Sequence, residues 1–410
     1  MAKTDKLKQA AIASYLYANN LLKSEKRRVK LVDVADVMGI DKSYITKLLE
    51  IAQEEGFLKI NYELNIPAEL QSAVFEFVDI NEKRLILMEK YNLEDCVIVP
   101  GKYSRFLGKL GPAYISEAFM NTAADKLRLI IQNIIVKQSE VNRRINEQRV
   151  SQNQKLKAIE PNKKSLLLTS WGRTLFHIID RMMPIDGYHE IDVRSIIGNH
   201  SLPVELEKSD QVVYEKTVRY SANTIARHLA RKLNYPIPPL HILTVASFKA
   251  NGDIALHKPL LSSDRALMEL YSSSIWDKSD SGGLIHYSGT FISSVGEASL
   301  SAKLGYKTPQ REVIGELSGI PFDKEAKQVP TEEIILGPNL SHIQNIFKRN
   351  KEAKESKKTL IGSGVIIFAC ANLHKVNPLL VLLRTKSFIN QLIIDEPIAD
   401  EIIRIEKLNQ

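Results

Sequence analysis

The chain has 410 residues, 44% of them hydrophobic, which predicts about two to three domains and enough apolar residues for a full core. Its 56 lysines and arginines exceed its 48 aspartates and glutamates, and the resulting net charge of +8 is compatible with nucleic-acid binding but not diagnostic of it. Two cysteines far apart in the chain exclude a disulfide framework and a cysteine-rich zinc site. The amino terminus lacks the apolar core of a signal peptide, and no apolar run approaches the ~18 residues that span a bilayer. We therefore expect a cytoplasmic protein without a membrane partner.

Residues 31–49, LVDVADVMGIDKSYITKLL, have the spacing of a helix-turn-helix. Ala35 is small enough for a second helix to approach closely, and Gly39 tolerates the positive φ that the turn requires. Ile45 and Leu48 are three positions apart, so they lie on one buried side of the second helix. These positions predict a helix-turn-helix, although a plain helical hairpin with a solvated face has a similar pattern.

The second helix of this pair has a polar face. Asp41 is expected to be its N-cap, so the polar residues of its first two turns point mostly outward. They combine hydroxyl groups, an aromatic ring and two cations, and they are Lys42, Ser43, Tyr44, Thr46 and Lys47. In helix-turn-helix proteins such side chains meet base edges in the major groove, while lysine and arginine hold phosphates. Arg27 and Arg28, in a basic strip upstream, are expected to add phosphate contacts, so this segment predicts DNA binding.

The pattern changes after the helix-turn-helix, and we expect a first domain over residues 1–66. Residues 57–64, at its end, are typical of a short β-hairpin or an extended exit. Residues 67–164 are expected to form a helical connector and the start of a second domain. Within them, residues 67–91 have a helical period, and residues 95–100 are an apolar run bounded by proline and glycine, as in a buried strand. The rest is predicted to be a long helix that continues into a charged, solvated connector.

From residue 165 to the C-terminus, short apolar runs alternate with amphipathic helical segments. The apolar runs are SLLLT, IDVRSII, HILTVAS, KTLIGSGVIIFACAN and FINQLIID, and the helical segments include LFHIIDRMM and SANTIARHLARKLN. This alternation predicts a Rossmann-like α/β domain over residues 165–410, with a mostly parallel sheet and helices on both faces. Ligands bind at the carboxyl ends of the strands in such sheets, so the chemistry is expected there.

Two loops at expected strand ends have residues suited to binding an anion. The first loop follows SLLLT and offers backbone N–H groups, a hydroxyl and a guanidinium from Ser170, Trp171, Gly172, Arg173 and Thr174. The second loop follows another strand and contains Asn372, His374 and Lys375. The first loop alone slightly favours a purely structural strand-to-helix turn, whereas the two loops together favour an anion site.

Several motifs follow one another in a recognisable order over most of the chain. They are the helix-turn-helix, SWGRTL, SANTIARHLA, EVIGELSGIPFD, a strand followed by a lysine, and QLIIDEPIADEII. In this order they resemble the SorC/DeoR-type sugar-binding transcriptional regulators, and IDKSYITKLLEIAQEEG is similar to the N-terminal module of that family. The resemblance implies a DNA-binding domain followed by a domain related to sugar-phosphate isomerases, which binds an effector instead of converting it.

The resemblance also implies site residues and partners. The implied effector contacts are Ser170, Trp171, Gly172, Arg173, Thr174, Gly198, Asn199, Glu316 and Lys375. Among them, the SWGRTL loop would surround a phosphate, Glu316 would accept protons from sugar hydroxyls, and Lys375 would supply a cation. The implied partners are operator DNA, a sugar or sugar phosphate, and further copies of the chain in a homo-oligomer, often a tetramer. Neither a cofactor nor a metal ion is implied.

The chain also departs from the pattern of this family. Ser170 stands where a glycine is common, IIGN replaces a second glycine-rich loop, and Ala371 and Asn372 replace a glycine pair. Additional segments, which make the chain longer than is usual for the family, lie around residues 130–164, 185–220 and 250–290. The ligand therefore cannot be named from the resemblance.

Two hypotheses about function follow from these features. The first is a transcriptional regulator of carbohydrate metabolism, not an enzyme, that binds operator DNA under the control of a sugar or sugar-phosphate effector. The alternative is a sugar-phosphate isomerase-like enzyme with an N-terminal helical appendage. The well-formed helix-turn-helix favours the regulator, as does the lack of an acid/base pair at a convincing spacing.

Overall fold

The computed structural model describes residues 3–23, 31–58, 66–101, 117–151, 165–187, 191–196, 220–234, 290–296, 313–329, 340–356, 363–370 and 373–408. The chain forms two compact units, Met1–Ile86 and Leu87–Gln410. The domain boundaries expected at residues 66 and 164 stay predictions. Within the described ranges, no helix has both the length and the apolar composition needed to cross a membrane.

The described part of the N-terminal unit is helical. It contains α1 (Lys3–Lys23), α2 (Leu31–Met38), α3 (Lys42–Glu54) and the first part of α4 (Ala68–Tyr91). Gly39, in the turn between α2 and α3, has a φ of +66°, and the Ile40 N–H donates to the Ala35 carbonyl at 3.1 Å. This left-handed residue ends α2 and redirects the chain into α3. The predicted helix-turn-helix is therefore confirmed at α2 and α3.

Small and branched apolar side chains form the core of this unit. Ile45 and Leu48 of α3 are fully buried, and they pack with Val34 and Ala35 of α2. The contribution of α1 consists mainly of alanines, which let α3 approach it closely. Residues 57–58, at the start of the expected hairpin, are buried, and the remainder of that hairpin lies outside the described residues.

The second unit is built on a sheet. In the described ranges its strands are β1 (Asp95–Val99), β2 (Ser165–Thr169), β3 (Ile191–Ser195), β4 (Thr290–Gly296), β5 (Gly315–Leu317), β6 (Ile320–Phe322), β7 (Gly364–Ala369) and β8 (Gln391–Asp395). The strands in the order β1-β8-β7-β4-β2-β3 are all parallel, while β5 and β6 form an antiparallel hairpin paired with the end of β4. The mostly parallel α/β sheet predicted from the alternating pattern is confirmed. The strand expected at residues 241–247 lies outside the described ranges.

Helices cover both faces of the sheet. They are α5 (Glu117–Ser151), α6 (Arg173–Arg181), α7 (Ala222–Lys232), α8 (Leu340–Glu355), α9 (Val376–Arg384) and α10 (Glu396–Leu408). One face of the sheet packs with α5, α6 and α7 through side chains such as Leu167, Ile292 and Ile366. Their strand neighbours Phe291 and Ile367 are equally buried and point to the opposite face, because side chains alternate along a strand. The helices α8, α9 and α10 contact the strands on that second face.

Parallel strands bring their carboxyl ends to one edge of the sheet. The strands β2, β4, β7 and β8 are neighbours or near neighbours, so the loops that follow them meet at this edge. Helices begin shortly after three of these strands: α6 after β2, α9 after β7 and a 3-10 turn at Leu373–Lys375, and α10 immediately after β8. This edge, which we call the carboxyl edge, is where the sequence predicted a ligand.

Candidate functional site

The N-terminus of α3 is fixed by its cap. Asp41 has extended backbone angles, and its Oδ1 accepts a hydrogen bond from the Ser43 N–H at 2.7 Å and another from the Ser43 hydroxyl at 2.5 Å. These bonds, the one from the hydroxyl foremost, hold the pKa of Asp41 below its ordinary value, so its carboxylate is charged at neutral pH. Because the Ser43 hydroxyl proton is used in the cap, the Ser43 oxygen is left to accept a hydrogen bond, as from an N–H group of a base, and does not donate to a phosphate.

The face of α3 predicted to bind DNA is exposed, with one exception. Lys42, Ser43, Thr46 and Lys47 are exposed to solvent. Tyr44 instead is half-buried against the core of the N-terminal unit, and its hydroxyl donates to Gln9 Oε1 of α1 at 3.4 Å. The phenol is therefore turned partly toward α1, contrary to the outward orientation expected from the helical period. Arg27 and Arg28 lie outside the described residues.

Charge limits where this face can meet DNA. Lys42 and Lys47 lie in the first two turns of α3, whereas Glu50 follows Lys47 by three positions and is also exposed. A carboxylate on the same side would be repelled by phosphates. The cationic and hydroxyl-bearing surface is thus confined to the N-terminal half of α3, which is the half that reaches base edges in helix-turn-helix proteins.

The loop between β2 and α6 leads into the N-terminus of α6 at the carboxyl edge. Gly172 has a φ of +135°, its N–H donates to the Tyr220 carbonyl at 3.0 Å, and its carbonyl accepts from the Phe176 N–H at 3.0 Å. The N-cap residue Gly172 makes no side-chain hydrogen bond to α6, and a helix N-terminus without a side-chain cap is the kind of helix end that binds anions. Arg173 is exposed at this end, and Thr174 is buried. The anion-binding role of this loop stays a prediction.

Ser170 has a different environment from its neighbours. It is fully buried, its N–H donates to the Ile292 carbonyl at 3.1 Å, and its hydroxyl donates to the Trp171 carbonyl at 3.0 Å. Both of its donors are thus used inside the protein. The bond from its N–H joins the end of β2 to β4.

The loop after β2 also meets β4 and the β5–β6 hairpin. A Cβ placed on Gly172 would lie 3.1 Å from Ser294 Oγ, and one placed on Gly319 would lie 3.4 Å from the Trp171 indole. In the same region, the hydroxyls of Ser293 and Ser318 are 3.0 Å apart and hydrogen-bonded. The hairpin is therefore folded back onto the carboxyl edge, where it covers Trp171.

Glu316 lies at the same edge. It is 5% exposed, and a Cβ on Gly296, at the end of β4, would lie 3.4 Å from its Oε1. The neighbouring Gly315 packs so closely against Pro378 of α9 that a Cβ there would lie 2.5 Å from the proline ring. The hairpin thus brings the predicted carboxylate next to the strand end and the start of α9.

The end of β7 is surrounded by polar and charged groups. Cys370 is 1% exposed, and Lys375 Nζ donates to its carbonyl at 3.1 Å. Burial raises the pKa of the Cys370 thiol to about 12, against the opposing effects of Lys375, Arg173 and a hydrogen bond with Thr174. These interactions show that two predicted cations, from different loops, lie near one buried atom. The thiol itself stays protonated at neutral pH and is not an activated nucleophile.

Asp395, at the end of β8, is the acidic member of this group. Its charge adds to the upward shift in the pKa of Cys370, and its Oδ1 accepts from the Ile398 N–H at 3.3 Å. This bond caps the start of α10.

The structure thus gathers most of the predicted ligand residues at one edge. Gly198 and Asn199, together with Asn372, lie outside the described residues. Sequence reasoning missed a set of edge residues that comes from β4, the hairpin and β7, namely Ser293, Ser294, Ser318 and Cys370. The segment TFISSVG could have indicated some of these residues, because it is an apolar run with small polar residues near its end, a pattern typical of a buried strand that ends at a ligand site.

No protein-family model matches the sequence, and neither does any curated protein. Solved structures do match. The DeoR family transcriptional regulator from Listeria monocytogenes aligns with a TM-score of 0.50 and 16% identity, over 79% of this chain and 99% of that chain. The full-length sorbitol operon regulator SorC from Klebsiella pneumoniae aligns with a TM-score of 0.48 and 16% identity, over 97% and 99%. The probable sor operon regulator from Shigella flexneri aligns with a TM-score of 0.49 and 16% identity, over 79% and 99%.

The likeness to the Listeria structure shows a shared fold. At the level of the fold, it confirms the resemblance to SorC/DeoR-type regulators that the order of motifs predicted. The residues expected to contact DNA or an effector stay predictions, since the shared fold alone does not test them.

Proposed function

We propose that the protein is a ligand-responsive transcription regulator of carbohydrate metabolism, with no enzymatic activity of its own. In this proposal α3 binds operator DNA, and the carboxyl edge of the sheet binds a sugar or sugar phosphate. The main support is the combination within one chain of an exposed, cationic α3 face and a parallel-sheet edge whose loops and hairpin carry Arg173, Lys375 and Glu316. The fold shared with the Listeria regulator also supports the proposal.

The ligand class follows from the chemistry of the carboxyl edge. The open N-terminus of α6 and the Arg173 guanidinium suit a phosphate or another small anion. The buried carboxylate of Glu316 suits hydroxyl donors, which sugars supply. An anionic head and a polyhydroxylated body together describe a sugar phosphate.

The regulatory effect requires that the ligand binds two states of the protein with different affinity. We propose that these states belong to a homo-oligomer, as the resemblance implies, and that they differ in affinity for the operator. Sedimentation analysis of the full chain with and without sugar phosphates tests the oligomeric part. A monomer under all conditions would contradict it.

Fluorescence anisotropy with duplex DNA from upstream of the protein's own operon tests the function directly. The titrations are made at fixed salt, with and without a panel of sugars and sugar phosphates. We expect sequence-specific binding whose affinity one class of compound changes. Weak, strongly salt-dependent binding to any sequence would contradict the proposal, as would turnover of any sugar phosphate in the panel.

Matched variants separate the two sites. Lys47→Ala should weaken operator binding and reduce the slope of log Kd against log salt by about one, whereas Lys407→Ala, an exposed lysine on α10, should change neither. Arg173→Ala should abolish the effect of the compound on DNA binding without weakening DNA binding itself. Arg181→Ala, at the other end of α6, is its control because it removes the same charge from an exposed position.

A further inference from the structure

The last turn of α4 is held by an ion cluster in the sheet unit, which we call the α4 anchor. It consists of Lys90, Tyr91, Arg384 and Glu406. Lys90 Nζ lies 2.5 Å from Glu406 Oε2, and Arg384 Nε donates to Glu406 Oε1 at 2.9 Å. The two oxygens of one carboxylate thus bind cations from two different helices, α4 and α9, while the carboxylate itself belongs to α10.

The carboxylate at the centre of the anchor is shielded from solvent, whereas the two cations are partly exposed. The Glu406 side chain is 13% exposed, and Tyr91, whose hydroxyl lies beside it, is 2% exposed. Burial alone would raise the pKa of Glu406, but the hydrogen bonds from Lys90 and Arg384 outweigh it and lower the pKa below its usual range. The carboxylate is therefore charged at neutral pH, and its interactions with the two cations are screened less than those of a surface ion pair.

The two helices that meet α4 at the anchor both begin at the carboxyl edge. α9 starts directly after Lys375, and α10 starts directly after Asp395, whose carboxylate caps it. Each helix runs back along the sheet, so α9 ends at Arg384 and α10 carries Glu406 in its last turn. A displacement of either helix at the carboxyl edge therefore changes the distances at the anchor.

The segment after α4 is fixed to the sheet at the same end. Asn390, which precedes β8, donates through Nδ2 to Glu94 Oε1 at 2.9 Å and accepts through Oδ1 from the Val365 N–H at 2.8 Å. Its carbonyl also accepts from the Glu94 N–H at 2.7 Å. The segment that follows α4 is thus hydrogen-bonded to the amino ends of β7 and β8.

We propose that Glu406 couples ligand binding at the carboxyl edge to α4, the helix that continues from residue 87 back into the N-terminal unit. This proposal rests on the proposed function, because it specifies how occupation of the ligand site reaches the DNA-binding unit. Glu406 is a positioning residue in this role. It lies in the last turn of α10, away from the carboxyl edge where α10 begins, and it acts by pairing Lys90 of α4 against Arg384 of α9.

Hydrogen–deuterium exchange on the full chain tests the coupling, with inorganic phosphate as the probe and chloride at matched ionic strength as the reference. In the wild type, phosphate should slow exchange in the first turns of α6, α9 and α10 and also at residues 87–91 of α4. Glu406→Gln should keep the protection of the first turns and lose the phosphate-dependent change at residues 87–91. Glu401→Gln, a carboxylate on the same helix paired only with Arg404 in the described structure, should behave like the wild type.

Anisotropy with operator DNA supplies a second readout under the same conditions. In the wild type, phosphate should change Kd by about 5-fold or more, which is the lower limit of typical allosteric coupling. In Glu406→Gln, the change should fall below about 2-fold. Arg384→Gln should have the same effect as Glu406→Gln. It tests the coupling even if Glu406→Gln misfolds, because Arg384 is 49% exposed and its loss disturbs packing less than the loss of Glu406.

Each outcome bears on a different claim. If phosphate changes exchange at residues 87–91 and the operator Kd as much in Glu406→Gln and Arg384→Gln as in the wild type, that result would overturn the coupling and leave the proposed function intact. Faster exchange at residues 87–91 to the same extent with and without phosphate would also overturn it, because it indicates a purely structural anchor. No protection of the first turns in the wild type would remove the ligand site of the proposed function, and the coupling with it.

Discussion

Substitution of Gly172 by alanine tests why the loop at the carboxyl edge requires a glycine. Gly172 has φ +135° and ψ 144°, a region that residues with a Cβ rarely adopt. Holding an alanine there costs about 1–3 kcal/mol of the free energy of unfolding. The added Cβ would also lie 3.1 Å from Ser294 Oγ. This second penalty is at most about 1 kcal/mol, because a serine hydroxyl moves away by rotation about one bond.

The two penalties are separable by a double substitution. Gly172→Ala should lower the free energy of unfolding by about 1–4 kcal/mol. Adding Ser294→Ala should recover no more than about 1 kcal/mol, since it removes the close contact and leaves the backbone strain. Gly101→Ala is the matched control. A Cβ at Gly101 meets nothing within 4 Å and its φ is not positive, so we expect a change of less than about 0.5 kcal/mol.

Urea unfolding followed by tryptophan fluorescence measures these differences. The chain has two tryptophans, so a Trp276→Phe background leaves Trp171, the neighbour of Gly172, as the only reporter. Trp171 is 9% exposed and should change its emission when the sheet unit unfolds. A Gly172→Ala variant as stable as the control would refute the reasoning from the backbone. Full recovery by Ser294→Ala would show that the close contact alone excludes the side chain.

Four further predictions follow from buried groups. Leu48→Ala should destabilise the N-terminal unit by about 2–5 kcal/mol, seen as a lower melting temperature in circular dichroism, because Leu48 is fully buried in its core. Cys370 should resist iodoacetamide at pH 8 in the native protein, since its thiol is buried with a pKa of about 12; rapid alkylation detected by mass spectrometry would contradict this. Asn390→Ala should cost about 1–3 kcal/mol in urea unfolding, because it leaves the buried Val365 N–H without its partner. The pKa of Glu406 is lower in the folded protein than its ordinary value of 4.5, so the wild type should be more stable than Glu406→Gln at any pH above 4.5. This difference in stability should disappear as the pH falls through the folded pKa. A difference that persists in acid would contradict the ion cluster.

Local patterns were enough to predict the helix-turn-helix. A positive φ at Gly39, buried positions at Ile45 and Leu48, and a cap at Asp41 all depend on residues within one or two turns of each other. Tyr44 shows the limit of this reasoning. The helical period predicts an outward ring, but a neighbouring helix, far earlier in the chain, offers Gln9 and draws the phenol toward the core.

The same distinction holds at the sheet edge. The β2–α6 loop was predictable, because an apolar strand, a glycine and a helix follow one another within ten residues of sequence. Its neighbours were not, since the position of β4 between β2 and β7 depends on the order of strands in the sheet. That order brings Ser294 next to Gly172 and places Cys370 near Arg173.

The sequence by itself determined the helix-turn-helix and the alternation of strands and helices that gives a mostly parallel sheet. Helix caps, turns and the alternation of apolar residues act over short distances, so one sequence is sufficient to recognise them. Only the tertiary structure decided which of these elements meet. The pairing of Lys90 with Glu406 joins residues from distant parts of the chain, and it forms because burial of the apolar faces of α9 and α10 against the sheet brings their last turns to the end of α4.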